Sequence, residues 1–182
     1  MKYTLIIFFI ITQSLIIKAQ TYTAKDISIH LFSPAPVADI EAINNLATGM
    51  LNLNKKEVLI AINISDFKFK KALMQAHFNE KYLESDKYPR ASFKGKFKEN
   101  INLEKEGTYP IQIEGKFSIH GVERFKKIVC NINVKDQNIT FDSNFEILSA
   151  NYKIKAPDLL YRKVGEEVRV DIKGILILDK EK

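Results

Sequence analysis

The chain is predicted to be mainly β: a tall antiparallel barrel with one short amphipathic helix at about 70–84. Most of the sequence after position 20 alternates apolar and polar residues with period two, the mark of strands with one buried face. Short polar turns separate these runs, at Asn54-Lys55-Lys56, Lys105-Glu106-Gly107, Asp136-Gln137-Asn138 and Val164-Gly165-Glu166. Such spacing favours an antiparallel sandwich or barrel over a parallel α/β sheet. Length favours the barrel, since the run 122–134 would span about 43 Å at ~3.3 Å per residue.

The first twenty residues, "MKYTLIIFFIITQSLIIKAQ", read as an address. An early lysine, a run of Ile, Leu and Phe, and a small residue at Ala19 are the layout of a secretory signal peptide. The rival reading is a membrane anchor, but Lys18 ends the apolar run short of the ~20 residues a spanning helix wants. Residues 1–20 are therefore expected to be a signal peptide cut after Ala19 or Gln20, with no cysteine there to carry a lipid. Residues 21–182 are expected to be a single domain, periplasmic or secreted. Lys2 and Lys18 supply two of the formal +6 charges, leaving +4, a modest excess that does not by itself suggest nucleic acid.

The strands follow in order. "DISIHLF" sets Ile27, Ile29 and Leu31 on one face. "EVLIAINI" sets Val58, Ile60, Ile62 and Ile64 together. "KKALMQAHFNEKYLESDKYP" then breaks the period, with Leu73, Met74, His77, Phe78 and Tyr82 at spacings of three and four. That is a helix of two or three turns, ending before Asp86, and Pro89 opens the next strand. A single helix beside a barrel commonly closes one mouth. "ASFKGKF" alternates Ala91, Phe93, Gly95 and Phe97 with Ser92, Lys94 and Lys96. "IQIEGKFSI" aligns Ile111, Ile113, Gly115, Phe117 and Ile119, and "IVCNINV" aligns Ile128, Cys130, Ile132 and Val134. "ITFDSNFEI" offers Ile139, Phe141, Phe145 and Ile147, and the last run aligns Val168, Val170 and Ile172.

Candidate chemistry is sparse. His30, His77 and His120 fall in different elements, and no His or Cys spacing resembles a zinc site. No Gly-x-Ser-x-Gly elbow, phosphate loop or dinucleotide fingerprint occurs. Cys130, the lone cysteine, sits in an apolar register and reads as a buried inert thiol. Lys94, Lys96 and Lys98 face outward together, either as a solvated face or as a docking patch for anionic lipid head groups. The inward face is rich in Phe and Ile. Small barrels are filled by side chains or hold one slender ligand, and composition leaves both readings open. Gly95 and Gly115 on that face leave space unless a neighbour fills it.

Three segments, "YPRASFKGKF" (88–97), "GTYPIQIEGKFSIHGVERFKKIVCNINV" (107–134) and "FEILSANYKI…YRKVGEEVRVDIKGIL" (145–176), resemble the YceI family in motif order and spacing. Its Gly-x-Leu-Thr-Ile-His-Gly-Val-Thr motif reads here as Gly115 to Glu123, with Phe117 and Ser118 for Leu and Thr. The opening residues lack the family's usual Asp-x-x-His-Ser.

The resemblance implies an extended eight-stranded lipocalin-like barrel that holds a polyisoprenoid or similar long-chain lipid in an apolar pore. It implies no catalytic residue, cofactor or metal. The residues expected to line the pore are Ile60, Ile62, Phe93, Phe97, Ile113, Phe117, Ile119, Ile128, Ile132, Phe141, Phe145, Val170 and Ile172, with Met74 and Phe78 at the mouth or lid. His120-Gly121 then becomes a turn between strands, with His120 structural. Two other classes stay in view: an enzyme acting on a lipid-linked substrate, and a filled barrel with a structural or stress-related role. The oligomeric state is open, a homodimer included.

Overall fold

The computed structural model describes residues 20–34, 39–155 and 166–179. The expected signal peptide falls outside the described residues, except for Gln20. The strands are β1 (Thr21–Ser33), β2 (Ile40–Asn52), β3 (Glu57–Asn63), β4 (Lys68–Phe69), β5 (Arg90–Lys96), β6 (Gly107–Ile119), β7 (Val122–Lys135), β8 (Asn138–Leu148) and β9 (Glu167–Leu178), with helix α1 at Ala72–His77. They pair in the order β1-β9-β8-β7-β6-β5-β3-β2, and β1 also pairs β2, which closes the sheet. The two-residue β4 adds to the edge of β2. The result is the antiparallel eight-stranded barrel that the alternation and the resemblance predicted.

Alternation works as read from β5 onward. In β6, Ile111, Ile113, Gly115 and Phe117 are buried, while Gln112 and Lys116 face solvent. The opening strands depart from it. In β1, Tyr22 and Ala24 are buried and so are Ile27 and Ile29. The phase slips by one residue at a bulge where Asp26 has φ 55° and the register with β2 shifts. A bulge places two residues opposite one and changes which positions face inward.

Periodicity did not announce β2, because its inner face is small and its outer face is large. Ala42, Asn44, Ala47 and Leu51 are buried, whereas Ile43, Leu46 and Met50 lie outside. Asn44 is fully buried because it serves the irregular backbone. Its amide donates to the Asn63 carbonyl (3.1 Å), and its side-chain oxygen accepts from the Leu46 amide (2.8 Å).

The helix is shorter than the predicted 70–84. Its α-helical part is Ala72–His77, and Phe78–Tyr82 widens into a π-helical turn closed by the Leu83 amide on the Phe78 carbonyl (2.8 Å). Leu73 points to solvent at 69% exposure, against the expected apolar face. The wider turn brings Phe78, Tyr82 and Leu83 to the barrel, and Phe78 packs on Phe67 and Phe69 at centroid distances of 5.7 and 4.8 Å.

The inward glycines do not leave a void. Gly95 pairs with Gly115 across β5 and β6. A Cβ on Gly115 would lie 2.2 Å from the Lys94 carbonyl oxygen and 2.3 Å from Gly95 Cα. A Cβ on Gly95 would lie 2.7 Å from Ile113 Cγ2. Two strands therefore approach here more closely than any side chain permits, and neighbouring atoms occupy the space that bare composition suggested was open.

Candidate functional site

Inside the barrel is a cavity of about 180 Å³. All eight long strands contribute to its wall. Along β9 it runs from Leu176 to Val168, about 26 Å of strand at ~3.3 Å per residue. Its lining is almost wholly Ile, Leu, Val, Phe, Ala and Met. An apolar cavity of ~150 Å³ already stays dry and admits a benzene-sized guest. This one is slightly larger, and it offers a guest shape and dispersion contacts with few polar anchors.

The sparse polar groups are partly engaged. The Ser33 hydroxyl donates to the Glu167 carbonyl and the Ser143 hydroxyl to the Val129 carbonyl, each at 2.7 Å. Lys155 is the cation on the cavity wall among the described residues.

Of the residues expected to line a pore, the cavity wall includes Ile60 and Ile62 of β3, Phe93 of β5, and Ile113, Phe117 and Ile119 of β6. It also includes Ile128 and Ile132 of β7, Phe141 and Phe145 of β8, and Val170 and Ile172 of β9. Met74 and Phe78 reach it from the helix. Phe97 does not. It follows the end of β5 at Lys96, where its amide donates to the Lys56 carbonyl (3.1 Å), and it is buried away from the cavity.

Sequence reasoning missed Ala42 and Leu51 of β2, and Phe67 and Phe69 before the helix. The β2 positions carry no periodic signal. The alternating "FKF" at 67–69 was the available clue for the other two.

His120 and Gly121 form the two-residue turn between β6 and β7, with φ 52° and 70°. Positive φ at both central residues is the hairpin-matched turn, for which glycine is the easiest occupant. His120 is only 9% exposed. Its Nδ1 lies 3.1 Å from the Tyr152 carbonyl oxygen, and its Nε2 lies 2.8 Å from the Glu84 carboxylate. Its ring also packs edge-on against Tyr88, centroids 4.6 Å apart. His120 thus ties the β6–β7 turn to the segment after the helix and to the segment after β8.

The other two histidines have their own partners. His30 pairs with Glu41 at 2.9 Å on the outer surface, and His77 lies 3.4 Å from Lys81 on the helix. No group of three or more His, Cys, Asp or Glu converges among the described residues. Burial, assisted by the Asp142 charge, pushes the Cys130 thiol up to about 12, which removes its nucleophilic form at ordinary pH.

Comparison with solved structures shows where this architecture recurs. A polyisoprenoid-binding domain from Saccharophagus degradans implicated in plant cell wall breakdown superposes with a TM-score of 0.73 at 13% identity, covering 88% of this chain and 99% of that one. BcnA from Burkholderia cenocepacia gives 0.69 at 13% identity, over 82% and 95%. A YCEI protein from Campylobacter jejuni gives 0.53 at 20%, over 69% and 74%. These likenesses establish the fold. No curated protein matches the sequence. The family model for the YceI-like domain matches residues 29–175, and on that match the chain belongs to the YceI-like family.

Proposed function

We propose that this protein is a non-enzymatic lipid carrier or store that holds a polyisoprenoid or similar long apolar chain inside its barrel. The observation that carries the reading is the continuous apolar cavity walled by all eight long strands. Each CH₂ transferred from water into such a wall contributes about 0.8 kcal/mol, so a long chain binds with few polar contacts. The Saccharophagus degradans neighbour is described as polyisoprenoid-binding, which supports the ligand class. The signal-like start supports an exported, periplasmic or secreted location, and the outward Lys94, Lys96 and Lys98 support transient contact with an anionic membrane surface.

Native mass spectrometry of the protein purified from its own host tests the reading. A co-purified mass that dissociates as a long-chain lipid is the expected result. Protein that arrives empty and takes up no prenyl chain would overturn it in favour of a filled structural barrel. Turnover of a lipid-linked substrate, abolished by one His or Glu substitution, would favour an enzyme.

A further inference from the structure

Among the described residues, the β7–β8 ladder leaves part of the barrel wall without strand pairing. The β7–β8 ladder rises from Lys135 opposite Asn138 and stops at Cys130 opposite Ser143. Both strands continue: β7 stays paired with β6 up to Val122, and β8 stays paired with β9 up to Leu148. Residues 122–129 and 144–148 thus face each other across a seam without backbone pairing.

Side chains close that seam instead. The Ser143 hydroxyl donates to the Val129 carbonyl (2.7 Å) and the Lys126 ammonium to the Glu146 carbonyl (2.6 Å). Above them the Arg124 guanidinium donates to the Asn151 carbonyl (2.5 Å). Lys126 lies in the inward register, opposite Gly115 of β6, with its ammonium 5.3 Å from the centre of the Phe145 ring. Phe145 is itself part of the cavity wall. Burial among these groups lowers the Lys126 pKa from its ordinary value. Two other short ladders are covered by chain. Residues 64–83 fill in beside β2, where β4 pairs with Ala42 and Ile43. Residues 97–106 fill in beside β6, where the Glu99 carboxylate accepts from the Gln112 amide.

The outer rim of the seam has the opposite character to a solvated surface. Phe125, Val129 and Leu148 point outward at 65%, 56% and 49% exposure. Lys127 stands on the same face, paired with Glu114 (2.8 Å), while Arg124 and Lys126 alternate with them from the opposite register. An exposed apolar rim bordered by long basic side chains suits the head-group boundary of a bilayer. End-on entry through the mouth would draw the whole chain through water, at about 0.8 kcal/mol for each exposed CH₂. Sideways entry through a seam closed only by side chains avoids that exposure and breaks no backbone ladder.

We propose that the upper β7–β8 seam is a lateral gate through which a long-chain lipid passes directly between a bilayer and the cavity, with Phe125, Val129 and Leu148 seated in the bilayer and Lys126 as the bar. The gate rests on the reading that the cavity holds such a chain.

The test separates the two. Fluorescently end-labelled geranylgeraniol is offered in vesicles of equal parts phosphatidylcholine and phosphatidylglycerol, and separately as a dilute detergent dispersion. The first gives a transfer rate and the second an affinity. Phe125→Glu with Val129→Glu, both outside the cavity, should slow transfer from vesicles about tenfold or more, because interfacial binding scales with seated apolar area. Affinity from the dispersion should hold, which also shows that the variant is folded. Lys126→Met should speed transfer by removing the bar. Unchanged transfer in both variants, with affinity retained, overturns the gate and leaves the carrier standing. Slowing by the glutamates without acceleration by Lys126→Met also overturns it, because the rim then only docks. A wild type that binds the probe in neither form overturns the carrier reading itself.

Discussion

His120 shows how one buried side chain can look catalytic and act as a fastener. Both ring nitrogens are engaged, one by the Tyr152 carbonyl and one by the Glu84 carboxylate, which fastens the β6–β7 turn to two distant segments. Its turn role was readable in His-Gly between two alternating runs. Its two distant partners were not, because they lie 32 and 36 residues away. His120→Asn should keep the turn, since Asn accepts positive φ. The broken buried bonds should cost about 1–3 kcal/mol, read by urea unfolding, with lipid uptake retained. Gly121→Val should cost more, because φ is 70° and the new Cβ would lie 2.6 Å from the Tyr88 ring. Cys130 gives a second prediction. Its folded pKa of about 12 lies above the ordinary thiol value of 9.0, so the folded state holds the proton more tightly than the unfolded chain. The stability this contributes is complete below pH 9 and is lost as pH rises toward 12, at about 1.4 kcal/mol per unit. The stability gap between wild type and Cys130→Ala should narrow over that window in denaturant titrations. At pH 8 the native thiol should resist iodoacetamide, and the unfolded thiol should react.

At the scale of elements, the close approach of β5 and β6 decides what glycine means. Gly95 opposite Gly115 brings the two backbones together, so neither position is a place to plug a pore. Gly115→Ala should destabilise by ~1–3 kcal/mol or more, since the strands must part to admit a methyl group. Thermal melts of the ligand-free protein check this. A variant as stable as wild type would mean that the ladder relaxes there at little cost. The helix follows a similar rule. Spacings of three and four announced it correctly, but the π-helical turn at Phe78–Tyr82 set which side chains meet the cavity. Anchoring by Phe67 and Phe69 lies in an aromatic cluster that helical periodicity does not describe.

For the whole molecule, the question is whether the cavity is used. The positions that can answer it are the small residues on its wall, Ala24, Ala42 and Ala91. Ala91→Phe should push a ring into open space, holding the melting temperature while abolishing uptake of labelled geranylgeraniol. A fall in stability equivalent to 1–3 kcal/mol, typical of overpacking, with no uptake even by wild type, would show a filled barrel instead. Ala42→Phe on β2 should behave alike, because both residues line the same cavity.

The sequence by itself determined which face of most strands is buried, where the turns near 54–56, 120–121 and 136–138 fall, and that a helix interrupts the sheet; the expected turn at Val164-Gly165-Glu166 lies outside the described residues except for Glu166. Each of these is local: side-chain direction alternates along a strand whatever lies across from it. Tertiary structure decided the rest. The bulge at Asp26 and the small inner face of β2 became intelligible only beside neighbouring strands, because Ala42 and Asn44 are buried by what surrounds them rather than by their own hydrophobicity. The same holds for Phe97, whose place depends on where β5 ends. Alternation reports that a face is turned from water; it does not report whether the space behind that face is filled. That depends on the barrel's radius and on what all eight strands place across from one another, a sum over residues far apart in the chain.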